Sequence, residues 1–232
     1  MTNYTFQETS SLVKWLRISM VMWLIVAVLM LLVEFIYSTL IYHNTGIAEG
    51  GVVYRWGGPA LWEIVVVSFF PIVKILISLQ YMVFLLVWVY RAHANNWALG
   101  IRNLSHSPGM AITWFLLPLV NLVYPFMALS EVFRASDPDA DTPRSSLTWQ
   151  MSAPPSMLAV WWLGWILIAP LAMPPLVMQW IFGGMDMMGF RVLELIVYML
   201  MVVLMFMFWK MANDHHEQQN RKYDLIYGEN VG

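Results

Sequence analysis

The chain has 232 residues, of which 60% are hydrophobic and only 11% are charged. Soluble domains contain about 45 to 50% apolar and about 25% charged residues, so a soluble fold could not bury this much apolar surface. The net charge of -2 gives no reason to expect a nucleic-acid partner, and the absence of cysteine excludes disulfides and thiolate chemistry. The composition therefore indicates an integral membrane protein.

Four apolar segments are long enough to cross a bilayer, which takes about 20 residues of helix. The longest stretch without Asp, Glu, Lys or Arg has 41 residues, from Ser145 to Met185. The predicted spans lie at about residues 18–42, 71–91, 156–182 and 192–209. Together they predict an all-α integral membrane protein with a single polytopic domain over residues 1–232, which ends in a polar C-terminal tail at 210–232.

Another apolar segment, residues 110–133, contains Pro118, Asn121 and Pro125 near its centre. Proline removes a backbone donor, and freed backbone groups are tolerated at membrane depth only where protein or water satisfies them. The segment is therefore either a full transmembrane helix or a re-entrant hairpin that turns around Pro118 to Pro125. In the turn, we expect Asn121 to satisfy backbone groups with its side-chain amide.

The distribution of lysine and arginine favours the hairpin, because these residues accumulate at the cytoplasmic ends of spans. With five spans and the N-terminus inside, five of the 12 basic residues are cytoplasmic and seven are not. With four spans and a hairpin, nine are cytoplasmic and three are not. We predict four transmembrane helices plus a re-entrant hairpin, with both termini cytoplasmic; five transmembrane helices are the alternative.

Polar residues flank the predicted hairpin. Arg91 and Asn95 follow the second span, while Glu131 and Arg134 end the segment with the prolines. On a helix that carries Glu131, the apolar residues around it share another face, so the segment can pack while Glu131 and Arg134 contact water or each other. We predict that these four residues make polar contacts at the ends of the hairpin.

The central stretch carries a recognisable pattern of residues: Trp88, Tyr90, Arg91, Asn95, Ser107, Pro108, Trp114, Pro118, Asn121, Pro125, Glu131 and Arg134. With these residues, and with Gln218 past the last span, the chain resembles a family of bacterial multi-pass membrane proteins catalogued as domain of unknown function 4328. The resemblance covers about Leu12 to Gln219, although His93 and Ala94 interrupt an expected arginine-rich helix end. It implies a bacterial plasma-membrane protein and no activity.

Three ionisable residues, Glu34, Lys74 and Glu194, lie inside predicted spans. If the first span runs outward and the second and last run inward, all three lie roughly 10 Å above the midplane, at ~1.5 Å per residue. Ionisable groups inside spans are costly and usually face the bundle interior, so we predict an intramembrane charge cluster. The cluster is either a static ion pair between Lys74 and one carboxylate, or a site where the carboxylate that is left unpaired binds a proton or cation.

No motif in the sequence assigns a reaction. His93, His106, His215 and His216 show no HExxH or comparable ligand spacing, and there is no GxSxG or glycine-rich phosphate loop. We predict no catalytic residue, no metal and no cofactor. Two functions remain: a noncatalytic scaffold or accessory subunit that binds another membrane protein, and a small transporter or channel-like protein with a cation or proton site formed by buried carboxylates, for which a homo-oligomer could supply the pathway. The lipid bilayer is a partner in both.

Overall fold

The computed structural model describes residues 4–47, 53–55, 61–117, 119–141, 147–168, 171 and 187–228. For residues 34, 37–47, 53–55, 61–68 and 187–191 it describes the backbone alone. The α-helices in this part of the chain are α1 (Ser10–Asn44), α2 (Leu61–Ala98), α3 (Pro108–Leu116), α4 (Tyr124–Ala135), α5 (Ser156–Ile168) and α6 (Met187–Tyr227). Between α1 and α2, two short antiparallel strands, β1 (Thr45–Ile47) and β2 (Val53–Arg55), form a hairpin.

Three described helices are long and apolar enough to cross a membrane. They contain the segments Ser10–Val33, Phe69–Ala98 and Val192–Tyr227, which coincide with three of the four predicted spans. The other predicted span, 156–182, begins as α5, whose 13 described residues extend about 20 Å. Apart from residue 171, the rest of that span lies outside the described residues.

Helix α2 differs from the prediction at its start, because it runs from Leu61 through Pro71 as one helix of 38 residues. The predicted span begins at Pro71, because proline removes a backbone donor, and the apolar residues before it are expected to form a kinked extension or an interfacial helix. Proline is tolerated inside membrane helices where the neighbouring groups satisfy the freed backbone. The apolar residues on both sides of Pro71 therefore belong to one continuous helix.

Helix α1 is antiparallel to α2. The Trp15 and Phe84 rings stack with centroids 5.6 Å apart, and two turns further along α1 the Trp23 indole donates to Ser78 Oγ at 3.1 Å. Residue numbers rise along α1 as they fall along α2, which is the arrangement expected for two helices joined by a short hairpin. The two helices therefore run in opposite directions through the same apolar layer.

Helices α2 and α6 are parallel. Lys74 contacts Tyr198 near one end and Asn95 contacts Gln219 near the other, and both pairs are 124 residues apart in sequence. Helix α5 is antiparallel to α6, as its Trp161 ring lies 4.9 Å from that of Phe208, while Gly164, further along α5, lies against Leu204. The four longer helices therefore alternate in direction, with α1 and α5 opposite to α2 and α6.

The apolar core lies between α1, α2, α4, α5 and α6. Its centre is Trp88 of α2, whose fully buried ring lies 5.3 Å from Phe208 and 6.0 Å from Phe133. Gly164 allows α5 to approach α6, because a Cβ atom at this position would lie 2.5 Å from Leu204 Cδ2. Close contact at this glycine brings the tryptophans of α5 onto the core.

Helices α3 and α4 form a helical hairpin against the carboxyl end of α2. Ser107 caps α3 by accepting a hydrogen bond from Met110 N, and Pro108 suits the first turn because it needs no backbone donor there. At about 1.5 Å per residue, the nine residues of α3 and twelve of α4 are each too short for a bilayer core of about 30 Å. The segment 110–133 is therefore two short helices.

Both outer ends of the hairpin lie at the same end of α2. The Trp97 indole donates to His106 O at 3.3 Å just before α3, and Asn96 Nδ2 donates to Val132 O at 3.3 Å in the last turn of α4. The tip, by contrast, exposes apolar side chains: Leu116, Leu117, Leu119, Leu122, Val123 and Tyr124. The α3–α4 hairpin thus begins and ends at the same level of α2, and the turn between the two helices exposes apolar side chains.

Candidate functional site

A buried tyrosine connects two of the three predicted intramembrane charges. Lys74 Nζ donates to the Tyr198 hydroxyl at 2.6 Å, and the hydroxyl donates to Glu194 Oε1 at 2.6 Å. Lys74 is 6% exposed, Glu194 8% and Tyr198 5%, so all three lie in the interior of the helix bundle. We call these three residues the Tyr198 bridge. A phenol that accepts from an ammonium and donates to a carboxylate joins opposite charges through neutral hydrogen-bonding chemistry.

Side chains of α1 and α2 pack around Tyr198 in the bridge. The Lys74 ammonium lies 4.0 Å from the centre of the Tyr198 ring, and the hydroxyl lies 3.7 Å from Met30 Sδ. Trp23 packs edge-on against the same ring at 5.6 Å. Helix α1 therefore contacts the bridge as well, beside α2 and α6.

The structure brings together Lys74 and Glu194 of the predicted cluster and adds Tyr198, which the sequence analysis missed. The side chain of Glu34 lies outside the described residues; its backbone belongs to α1, one turn beyond Met30. A signal for Tyr198 was present, because it follows Glu194 by four residues and so lies on the same face of α6. Tyr198 is neutral, so a search for charged residues inside spans does not find it.

A second polar group lies at the other end of α2 and α6, and we call it the amide layer: Asn95, Asn96, Ser136, His215 and Gln219. Gln219 Nε2 contacts Ala92 O at 3.1 Å, Asn96 Oδ1 at 3.0 Å and Ser136 Oγ at 3.3 Å. The Gln219 carbonyl accepts from Asn95 Nδ2 at 2.8 Å. Ser136 Oγ lies 2.8 Å from His215 Nε2. These residues are almost completely buried, so their mutual hydrogen bonds offset the cost of removing them from water.

Polar contacts at this end of α2 and α6 also fix the segment before α1 and the last turns of α6. Asn95 Oδ1 accepts from Gln7 N at 2.9 Å, which ties the segment before α1 to α2. In the last turns of α6, the fully buried Lys222 donates to Ala135 O at 2.7 Å, one of the carbonyls at the end of α4. The predicted polar tail is therefore in large part a continuation of α6 that packs against α2 and α4.

Glu131 closes the base of the α3–α4 hairpin. Its carboxylate accepts from Ser105 N at 2.9 Å, from His106 N at 3.0 Å and from the His106 Nδ1 at 3.2 Å. Burial raises the pKa of Glu131, but the hydrogen bonds from the ring and backbone of His106 and from Ser105 outweigh burial and hold the pKa below its ordinary value. Glu131 is therefore a structural carboxylate that stays ionised at neutral pH.

Three of the four predicted hairpin-end residues make polar contacts, and these contacts are separate. Arg134 donates to the backbone carbonyls of Ser152 and Gln150 beyond α4, so it does not pair with Glu131. Asn95 belongs to the amide layer, while Arg91 is half-buried and makes no hydrogen bond or ion pair within the described part of the chain. Three of the four predicted polar contacts thus hold the hairpin end or the helices beside it.

The turn of the hairpin is closed by backbone groups. Asn121 N donates to Leu117 O at 2.9 Å, and Val123 N donates to Val120 O at 3.2 Å. The buried oxygen of the Asn121 side chain accepts no hydrogen bond from the described residues, which corrects the expected role of that oxygen. Pro125 lies in the first turn of α4, where proline needs no donor, and Pro118 lies outside the described residues.

An apolar layer separates the Tyr198 bridge from the amide layer. On α6 the eleven residues from Met199 to Trp209 are all apolar and extend about 17 Å. On α2 the buried side chains at this level include Leu85, Trp88 and Val89. Among the described residues, the Tyr81 hydroxyl and the Trp88 indole nitrogen are buried here without a hydrogen-bond partner. Where α1 packs on α2 within this layer, Gln80 Nε2 donates to the buried Ser19 Oγ at 3.3 Å, and the Trp23 indole donates to Ser78 Oγ. The hydrogen bonds of these described side chains are local pairs, and they form no continuous chain between the Tyr198 bridge and the amide layer.

The histidines do not converge on one point. His215 belongs to the amide layer, whereas the neighbouring His216 faces Thr9, 3.1 Å from its Oγ1. The His93 and His106 rings are 6.3 Å apart. No group of three or more His, Asp or Glu residues that could hold a metal ion occurs in the described ranges. A polar cavity of about 460 Å³ borders His215. Its lining also includes Lys210 and Asp214, which pair with each other.

A family model described as domain of unknown function (DUF4328) matches residues 62–217, which are 156 of the 232 residues and extend from the start of α2 into α6. The match confirms the resemblance found from the central residues. No curated protein and no solved structure matches the chain.

Proposed function

The chain belongs to the DUF4328 family, and we propose that it is a noncatalytic scaffold or accessory subunit of a complex in the bacterial plasma membrane. Its function is to hold an apolar surface in a fixed arrangement for another membrane protein. The description of the family assigns no reaction or ligand, so the proposal depends on the arrangement of this chain's own side chains.

The observation that carries the proposal is the apolar layer between the Tyr198 bridge and the amide layer. A transporter or channel needs water or polar groups along a path through the membrane. The layer of about 17 Å is formed by apolar side chains such as Leu85, Trp88 and Phe208, which fit a packed structural core. The amide layer, which links α2, α4 and α6 by buried hydrogen bonds, suits a rigid clamp between these helices.

The proposed topology has four transmembrane helices and a re-entrant hairpin, with both termini cytoplasmic. The parallel directions of α2 and α6 support it, because a five-span chain would place these helices antiparallel. The common level of both hairpin ends and the apolar tip around Leu119, which is 83% exposed, support it as well. In this topology the hairpin enters the bilayer from the cytoplasmic side and the amide layer lies near that surface.

Copurification tests the proposal. The tagged full chain is purified from its native membranes in mild detergent, with untagged membranes as the control. We expect a foreign membrane protein at a fixed ratio to the chain over successive purification steps. A homo-oligomer alone, at every detergent-to-protein ratio, would contradict the proposal.

One observation favours a second candidate, a proton or cation site in a small transporter. In the Tyr198 bridge, a hydroxyl lies within 2.6 Å of both an ammonium and a carboxylate at membrane depth. Such a line of groups can pass a proton or exchange it for a cation. The site would need a polar path supplied by a second copy of the chain, since the apolar layer separates it from the amide layer.

A further inference from the structure

A basic pocket of about 230 Å³ opens between the first turns of α1 and the middle of α6. Two cations and one aromatic ring define it: Lys14, Arg17 and Trp209. Ser10, Val13, Asn213 and His216 complete its lining. The pocket lies on the opposite side of α6 from the larger polar cavity at Lys210 and Asp214, and it contains no residue of the amide layer.

The cations of this pocket are available to a ligand. Lys14 and Arg17 are three residues apart on one face of α1, and both are exposed. Neither has an acidic partner in the part of the chain that the structure describes. The nearby carboxylate of Glu217 accepts from Asn213 Nδ2 at 2.9 Å, and His216 is held between Thr9 and Asn220. The pocket therefore presents positive charge with its other polar groups already engaged.

The pocket lies where two helices leave the apolar layer. Lys14 and Arg17 directly precede the apolar run of α1, which begins at Ile18, and Trp209 ends the apolar run of α6. Lysine and arginine accumulate at the cytoplasmic ends of spans, and tryptophan settles at headgroup depth. Charge and ring together place the pocket at the level of the lipid headgroups.

We propose that this pocket binds the phosphate headgroup of an anionic phospholipid. The guanidinium of Arg17 offers paired donors to phosphate oxygens, Lys14 adds a second charge, and the Trp209 ring lies beside the glycerol region. Below the pocket, exposed apolar residues of α1 such as Val21 and Ile25 provide a surface for an acyl chain. A lipid fits this combination better than free phosphate, because only a lipid uses the basic pocket and the apolar surface at once.

Lipid titration of the purified full chain tests the assignment. The chain in nonionic detergent is titrated with phosphatidylglycerol, with phosphatidylcholine of the same acyl chains, and with inorganic phosphate, and bound lipid is counted by native mass spectrometry. A basic residue near an anionic lipid contributes roughly fivefold in affinity. We therefore expect Lys14→Gln and Arg17→Gln each to weaken phosphatidylglycerol binding about fivefold, and the double variant about twenty-five-fold.

Lys210→Gln is the matched control, because Lys210 lies at a similar depth but is paired with Asp214 and faces the other cavity. This variant should keep wild-type affinity within about twofold, since it removes no cation from the pocket. Equal affinity for phosphatidylcholine, an unchanged affinity in both single variants, or an equal loss in Lys210→Gln would overturn the lipid site. Inorganic phosphate that displaces phosphatidylglycerol at equal concentration would assign the pocket to free phosphate instead. The single variants decide the question if the double variant does not fold.

Discussion

The hydroxyl of Tyr198 lies 2.6 Å from the ammonium nitrogen of Lys74, although the two residues are 124 positions apart in the sequence. This contact joins α2 to α6 at a level where both helices are surrounded by apolar residues. It provides the buried ammonium with a hydrogen-bond acceptor, and through the same hydroxyl it connects the ammonium to Glu194. A buried charge without such partners would carry a large desolvation cost.

Removing this hydroxyl should destabilise the protein. Tyr198→Phe leaves the Lys74 ammonium and the Glu194 carboxylate without their common partner, so we expect a loss of about 1 to 3 kcal/mol in the free energy of unfolding. In detergent this corresponds to a melting temperature lower by about 2 to 4 °C per kcal/mol. Tyr81→Phe is the control, because the buried Tyr81 hydroxyl has no partner among the described residues and its removal should be neutral or stabilising. Equal losses in the two variants would remove the special role of Tyr198.

The amide layer predicts a sharp difference between two adjacent glutamines. Gln219→Leu should lower the free energy of unfolding by about 1 to 3 kcal/mol, since it removes the buried hydrogen bonds that Gln219 makes with Asn95 and Asn96. Gln218 is exposed, so Gln218→Leu should change stability by no more than about 0.5 kcal/mol. Thermal melting of both purified variants measures the difference. If Gln218→Leu proves the more damaging change, the helix face assigned to the C-terminal part of α6 is wrong.

Glu131 predicts a loss of stability in acid. Because folding lowers its pKa, Glu131 contributes stability that is fully present above the ordinary value of 4.5 and is lost as the pH falls through the lowered value. Melting of the wild-type chain between pH 7 and pH 3 should show this loss below about pH 4.5. Glu131→Gln should be less stable than wild type at pH 7, and the difference should shrink as the pH falls. The exposed Glu8→Gln should follow the wild-type curve; a Glu131→Gln curve parallel to it would contradict the role of the carboxylate.

The sequence predicted the elements that depend on local pattern. Apolar runs of sufficient length gave three of the helices that can cross a membrane, because helix length and hydropathy follow from composition alone. The break around Asn121 was also predictable, because proline restricts the backbone wherever it occurs. The groups that close the turn were not predictable in this way. We expected the Asn121 side chain to close it, but the backbone carbonyls of Leu117 and Val120 accept the hydrogen bonds there.

The contacts between distant residues were less accessible. The predicted cluster placed Lys74 and Glu194 at one depth in the membrane. It did not include the hydroxyl between them, because a neutral tyrosine in an apolar run has no charge that would mark it. The amide layer was missed for a related reason. His215, Gln219 and Lys222 are spaced by four and three residues, so they share one face of α6, but the segment also has the polar composition of an exposed tail.

The topology is open to a direct test because the chain has no cysteine. Single cysteines at the exposed positions Ser105 and Asp139, on either side of the hairpin, should be labelled by a membrane-impermeant thiol reagent only after the cytoplasmic face is opened. Thr5→Cys should behave in the same way, and Thr45→Cys, beyond α1, should be labelled from outside. Labelling of position 139 from outside alone would restore the five-span alternative.

Ion flux in proteoliposomes tests the central claim, that the apolar layer between the Tyr198 bridge and the amide layer makes this protein a scaffold. Liposomes with the purified full chain are compared with protein-free liposomes, using proton- and potassium-sensitive dyes under an imposed gradient. Lys74→Met removes the buried ammonium of the bridge, and Lys210→Met removes an exposed one as the matched control. We predict that all three proteins give the flux of protein-free liposomes. A flux that the wild-type chain supports, that Lys210→Met retains and that Lys74→Met abolishes would contradict the scaffold and assign the protein to transport.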